Sequence, residues 1–140
     1  MSLTFGPHVA AWVSERIGRT TPWETDAAIG IMRNGKLVGG VVVDDYFPGA
    51  RCSMHCAGEG KYWLNRDFLW TVFDYAFNQL GCKVIFNTAA GRNEHSVKFT
   101  QHVGFKLLGR VTDGFGDDDM VILTMPKADC RWLTLKARSL

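Results

Sequence analysis

The sequence predicts an α/β domain spanning residues 1–140, with a mixed and mostly antiparallel sheet flanked by about three helices. Three observations carry that expectation. Asn34-Gly35 lies between two apolar runs, and a type I′ hairpin turn needs two positive φ angles, which Asn and Gly adopt at least cost. Two later segments have helical apolar spacing, and each runs from an Asn to a Gly, residues suited to helix starts and ends. A β-rich run follows each of these helices. Strands joined through helices imply crossover connections of parallel type in a sheet that begins antiparallel.

The elements follow in order. Pro7 suits a first helical turn, and Val9, Ala10, Val13 and Ile17 recur at helical spacing up to Gly18. GRTTPWETD reads as a loop. AAIGIMRNGKLVGGVVVDDYF supplies the hairpin, and Gly39-Gly40 marks a bulge or a close backbone approach. RCSMHCA reads as a third antiparallel strand. A helix is expected from Asn65 to Leu80, with Gly81 beyond its end and Leu69, Val72, Phe73, Ala76 and Leu80 on one face. KVIFNT is a short strand. Asn93 caps the next helix, whose Ser96, Val97, Thr100 and Val103 share a face; Gly104 ends it and Phe105 packs back. KLLGRVTDGFGDDDMVILTMP closes as a hairpin around an acidic loop. The tail KADCRWLTLKARSL has no assigned element.

Composition narrows the class. Hydrophobic residues make up 46% and charged residues 21%, the balance of a globular chain rather than a disordered one. No apolar run approaches the roughly 18 residues of a membrane span. The start, MSLTFGPHVAAWVSERIG, lacks the basic region and apolar block of a secretory leader. A net charge of +2 is too small to point to nucleic acid as a partner. Cys52, Cys56, Cys82 and Cys130 form no CxxC pair. Strand alternation puts Cys52, Met54 and Cys56 on one face and His55 on the other, which argues against zinc and leaves no metal site expected. Reduced thiols fit a cytoplasmic setting.

The element order, together with the pattern Asn93, Ser96, Gly104, Phe105, resembles the GNAT acyltransferase family and its fourth helix. MHCAGEGKYWLNRDFL and DCRWL resemble a short GNAT group common in phages and prophages. The resemblance runs from Phe5 to Leu133. It implies a sheet with one splayed strand pair, and direct attack of an amine on the thioester of acetyl-CoA. It implies no metal, a cytoplasmic location (the host's, if phage-encoded), an unidentified amine acceptor, and an assembly that a homodimer would satisfy.

The same resemblance distributes roles. Trp63, Leu64, Asn65 and Arg66 occupy the helix start that meets the CoA pyrophosphate, with Lys61 beside them. KYWLNRDF lacks both glycines of the usual phosphate loop, so a charge-assisted contact from Arg66 is the expected substitute; the alternatives are a solvated Arg66 and a core Trp63. The thioester oxygen takes a backbone N–H near Cys56 or Ala57. Asn87 or Thr88 meets the pantetheine amides, and Asn93, Ser96 and Phe99 lie along the closing helix. Asp44, Asp45 and His55 are the candidate bases. Thr100 stands where the family usually has its acidic Tyr, and His102, about 200° further round the helix, faces elsewhere. Two other classes remain open. One is a GNAT-shaped binding or virion-associated module without turnover. The other is a Mom-like nucleobase modifier with a basic patch of Arg131, Lys136 and Arg138, which the small net charge disfavours.

Overall fold

The structure is a computed structural model that describes residues 1–19, 21, 23, 25–60 and 63–134. Lys61, Lys136 and Arg138 therefore lie outside the described residues. A seven-stranded sheet runs in the order β1-β2-β3-β4-β5-β7-β6. Its strands are β1 (Ser2–Phe5), β2 (Ala28–Arg33), β3 (Lys36–Phe47), β4 (Arg51–Gly58), β5 (Val84–Ala90), β6 (Lys106–Val111) and β7 (Met120–Pro126). Helix α1 (Pro7–Arg16) packs on one face; α2 (Arg66–Asp74) and α3 (Glu94–Val103) follow β4 and β5. All neighbouring strands are antiparallel except β4 and β5. This is the mixed sheet the sequence predicts.

Local chemistry explains most boundaries. Asn34 and Gly35 take φ of 53° and 77°, the positive pair of a type I′ turn. Asn65 accepts a hydrogen bond from the Phe68 N–H at 2.9 Å, and Asn93 accepts one from the Ser96 N–H at 3.1 Å. Each satisfies a donor that the helix leaves unpaired. At the end of α3, the Phe105 N–H donates to the Thr100 carbonyl at 3.2 Å, and the Phe105 ring is buried, as a Schellman ending requires.

Three boundaries differ from expectation. A strand, β1, precedes α1; its four residues are too few to show a period. Ile17 is exposed beyond the end of α1 rather than part of its apolar face. The helix expected to reach Leu80 is α-helical only to Asp74 and continues as a π-helical turn over Tyr75–Gln79. There the Leu80 N–H reaches the Tyr75 carbonyl at 2.8 Å, and the Asp74 carboxylate accepts from Asn78 and Gln79. The unassigned tail forms 3-10 turns over Lys127–Asp129 and Arg131–Thr134. Arg131 donates to the His102 carbonyl at 2.7 Å and the Trp132 indole to the Val103 carbonyl at 2.8 Å. Both fill acceptors that the end of α3 leaves open, and the guanidinium also suits the negative end of the helix dipole. Arg131 is thus committed to α3.

Two glycine pairs set how closely the layers approach. Gly30 faces Gly40 across β2 and β3, and a Cβ at either would crowd Val9 at 2.9 Å. Gly39 faces Gly58 across β3 and β4, and a Cβ at either would meet the Trp63 indole on the opposite side of the sheet. The close backbone approach expected at Gly39-Gly40 therefore occurs on both faces, and the bulge lies next to it at Val38. Two cores result. Val9, Val13, Trp23 and Val42 pack under α1, while Phe68, Val72, Phe73 and Phe105 pack with α2 and α3 on the other face. Among the described residues, no helix is long and apolar enough to cross a membrane.

Adding an isopropyl group at Gly40, whose Cβ alone would lie 2.9 Å from Val9 and Val13, forces α1 off the sheet. Gly40→Val is expected to cost about 1–3 kcal/mol, the usual range for overpacking a filled interior. Urea unfolding is the measurement; an unchanged midpoint would show that α1 has room to move.

Candidate functional site

The site begins where a ladder stops. β4 and β5 pair in parallel only from Arg51 with Val84 to Ser53 with Phe86. Beyond that point each strand stays with its other neighbour: β4 pairs with β3 out to Gly58, and β5 with β7 out to Ala90. The two strands fork. At the apex the Asn87 side-chain oxygen accepts the Met54 N–H at 3.0 Å, taking the bond that a continued ladder would have made. The Met54 N–H therefore points into the fork. The Glu59 N–H donates at 2.8 Å to the Val38 carbonyl on the other side. Strand alternation then turns the Cys56 N–H into the fork and the Ala57 N–H toward β3. Of the two backbone donors expected, Cys56 is the one in position to meet an oxygen between the strands.

Two spaces meet at Cys56. An outer groove runs between the end of β4 and α3, past Gly58, Asn93, His95, Ser96 and His102. An inner chamber lies between the sheet and α2, walled by Val41, Met54, Leu69, Val72, Val103 and Phe105. Cys56, Trp63, Leu64 and Phe99 line both. Trp63 rests on Gly39 and Gly58 and stacks on Phe99, with ring centroids 5.9 Å apart and planes at 27°. It is at once a core ring and a wall of the groove. His95, Phe99 and His102 share a helix face that borders the groove, whereas Thr100 turns to the inner chamber, so His102 faces elsewhere than Thr100, as its offset of about 200° implies. Neither His95 nor the groove role of His102 emerges from the sequence reading; their spacing of four and three residues with Phe99 is the signal that carried them.

Thr100 is buried, lines the inner chamber, and donates its hydroxyl hydrogen to the Ser96 carbonyl at 2.8 Å. Asn93 spends its side-chain oxygen on the cap of α3. Arg66 is exposed at the first residue of α2, with Asp67 beside it in a turn that already carries the Asn65 cap. Thr88 turns to the opposite side of the sheet from Asn87 by alternation.

The candidate bases lie across the sheet from the inner chamber. His55 follows Met54 and precedes Cys56, so its ring turns to the α1 face. There it packs on Trp23, with centroids 4.7 Å apart. Its Nε2 is buried without a hydrogen bond and lies 3.6 Å from an Asp44 carboxylate oxygen. That oxygen accepts from the Trp23 indole at 3.2 Å. Burial lowers the His55 pKa below its usual value; Asp44 and Asp45 oppose the shift and Arg19 adds to it. Asp45 has φ of 48° at a bulge in β3 and accepts a long 3.4 Å bond from the Ser53 hydroxyl. Cys52 and Cys56 turn away from His55, so these three side chains do not converge. Cys56 borders the groove, yet its thiol sits among protein atoms that push its pKa up to about 11. It stays protonated at neutral pH and is a weak nucleophile.

The forked sheet with its three helices is the fold of GNAT acetyltransferases. No protein-family model and no curated protein matches the sequence. Solved structures do match. Mutant forms of the spermidine/spermine N-acetyltransferase SpeG from Vibrio cholerae superimpose with a TM-score of 0.71 at 14% identity, over 91% of this chain and 95% of that one. A GNAT-family acetyltransferase from Bacillus anthracis gives 0.59 at 16% identity, over 73% and 67%. The ribosomal-protein-S5-alanine acetyltransferase from Vibrio fischeri gives 0.59 at 17%, over 74% and 63%.

The lowered pKa of His55 has a thermodynamic consequence. Below the ordinary imidazole value of about 6.5, the unfolded chain binds a proton that the folded chain resists. The stability from the neutral ring is complete above that value and is lost as pH falls toward the folded pKa. Melting temperature is therefore expected to drop between pH 7.5 and 5.5 in the parent protein, and to drop less in His55→Phe. Equal slopes for the two proteins would mean that His55 does not resist protonation.

Proposed function

We propose that the chain is an acyl-CoA-dependent N-acyltransferase that moves an acetyl group from acetyl-CoA to an amine by direct attack in a ternary complex. The observation that carries this reading is the fork: a strand-edge N–H at Cys56, turned into a gap at the junction of a groove and an apolar chamber. A thioester lying in the gap has its carbonyl oxygen beside that donor. As the amine nitrogen bonds to the carbonyl carbon, the oxygen gains charge and the N–H stabilises it. The carbon–sulfur bond then breaks, the CoA sulfur leaves as thiolate, and the amine gives up its proton. A thiol of pKa about 8.5 is a tolerable leaving group without an acid. Thr100, its hydroxyl hydrogen held by Ser96, is placed to shape the chamber rather than to donate.

The pantetheine arm occupies the groove along Gly58, Asn93, Ser96 and Phe99, with Trp63 and Leu64 as its floor, while Asn87 at the apex and Thr88 beyond it border the arm's far end. Ala57 keeps β4 paired to β3 beside it. Arg66, at the α2 start with Asn65, meets the pyrophosphate by charge in place of a glycine loop. The acceptor amine enters from the α1 face, where His55 is neutral and able to take a proton, with Asp44 and Asp45 near it. Strand β4 then separates the two substrates, and the fork is where they meet. The occupied Asn65 cap and the held Thr100 hydroxyl favour one second reading, a CoA-binding module without turnover.

Three measurements test this. Acetyl-CoA is expected to raise the melting temperature. Arg66→Ala is expected to weaken acetyl-CoA binding about tenfold or more, since a charge-assisted contact is worth about 1.5–3 kcal/mol. Arg51→Ala is expected to bind as the parent does, because Arg51 stacks on Phe47 at 5.0 Å, far along β4 from the fork mouth. Equal losses in both would remove Arg66 from the site. With a working amine acceptor, Thr100→Val should retain turnover within about tenfold, and His55→Ala should lose about 10²–10⁴-fold, the usual worth of general-base help. The opposite ranking would assign the proton chemistry to the hydroxyl.

A further inference from the structure

The inner chamber is larger than an acetyl group requires. It has a free volume of about 50 Å³, and one water-sized group needs roughly 10–15 Å³ by this measure. There is room for about four such groups, and a methyl or methylene is of similar size. Its walls are Val41, Met54, Leu69, Val72, Val103 and Phe105. Two neutral polar side chains border it: the Asn87 oxygen accepts the Met54 N–H and the Thr100 hydroxyl donates to the Ser96 carbonyl, which leaves the Asn87 NH2 as an uncharged donor beside the fork. The Cys56 thiol is held neutral. Nothing in the chamber offers a charge to a polar or ionised acyl tail, and burying such a tail there would be costly. An aliphatic tail would lose only water.

The chamber also lies in line with the fork. Cys56 borders both spaces, and so do the stacked Trp63 and Phe99 rings, which places the stack at the junction of groove and chamber. An arm entering along the groove brings its thioester to the Cys56 N–H, and whatever follows the carbonyl points past Met54 into the chamber. Thr100 contributes to this room, because a short β-branched side chain stands on α3 and lines the chamber together with Val72 and Phe73.

From this geometry we infer that the site prefers short, unbranched aliphatic acyl-CoA thioesters over acetyl-CoA, with a best fit near four carbons, and rejects charged and long acyl chains. The inference rests on the acyl-CoA reading above and refines the group transferred. The transfer balances as before: the amine nitrogen–acyl bond forms, the carbon–sulfur bond breaks, and the CoA thiolate takes up a proton in solution.

The test is a calorimetric series on the full chain with CoA, acetyl-, propionyl-, butyryl-, succinyl- and octanoyl-CoA. Each buried methylene is worth about fourfold in affinity, so butyryl-CoA, with two more of them, is expected to bind about fifteenfold tighter than acetyl-CoA. Succinyl- and octanoyl-CoA are expected to bind more weakly than butyryl-CoA. Val72→Phe fills the chamber and should abolish the butyryl-to-acetyl ratio; Leu69→Ala enlarges it and should move the optimum to a longer chain. The second variant covers the case in which the first does not fold. A parent protein that binds acetyl- and butyryl-CoA equally, or octanoyl-CoA best, overturns the inference, as does an unmoved series in a folded variant. Free CoA separates the two levels of argument. If it binds and the series is flat, the chamber is not an acyl site. If neither CoA nor any thioester binds, the acyl-CoA reading falls and this inference falls with it.

Discussion

The hydrogen bond from the Met54 N–H to the Asn87 side chain is the interaction on which the site depends. A parallel pair that ended without it would leave a buried N–H unpaired, at a cost of about 1–3 kcal/mol. A side-chain amide closes the apex where a backbone carbonyl would otherwise continue the sheet, and the strands beyond are free to diverge. Divergence needs a second condition, since two free strand edges would pair with each other. β4 is committed to β3 and β5 to β7 along their full remaining lengths. The gap is thus held open from both sides by ladders that do not touch it.

Close packing then turns the gap into a site. Gly30 and Gly40 let α1 descend onto one face, and Gly39 and Gly58 let Trp63 descend onto the other. Without side chains at Gly39 and Gly58, β3 and β4 present bare backbone to the indole, and its ring reaches Phe99 on α3. That stack joins α3 to the sheet on the groove side. The tail joins it at the C-terminal end, through Arg131 and Trp132 on the last carbonyls of the helix. A ten-residue helix is thus held at its middle and at its C-terminal end, beside the groove.

Much of this was legible in the residues, for a reason that also sets the limit. The Asn34-Gly35 turn, the Asn65 and Asn93 caps, and the Gly104-Phe105 ending are local devices; each is settled within a few residues of chain, and each formed as read. The choice between the Cys56 and Ala57 N–H groups depends on the register of β4 against two neighbours, one of them far away in sequence. The same is true of His102, whose surroundings are set by how α3 lies over β4. The π-helical turn at Tyr75 keeps the apolar pattern of an α-helix and differs only in hydrogen bonding. Asn65 to Leu80 therefore reads as one helix.

Register also assigns the chemistry to faces. His55 and Cys56 are consecutive, and alternation alone puts the imidazole with Trp23 and Asp44 while the next N–H and thiol look into the fork. A slip of one residue would exchange them, turning the Ala57 N–H inward and burying His55 against α2. Two irregularities in β3 make that slip costly. One extra residue at Val38 and another near Asp45 bracket the regular stretch from Gly39 to Asp44. Asp45 reaches its positive φ only at such a bulge, and the left-handed backbone there aims its carboxylate at Ser53 on β4. The bulges therefore do more than twist an edge. They fix which face of β4 carries the His55 imidazole and leave the Cys56 N–H on the edge that borders the fork, and the reaction proposed here uses those two groups from different sides of one opening.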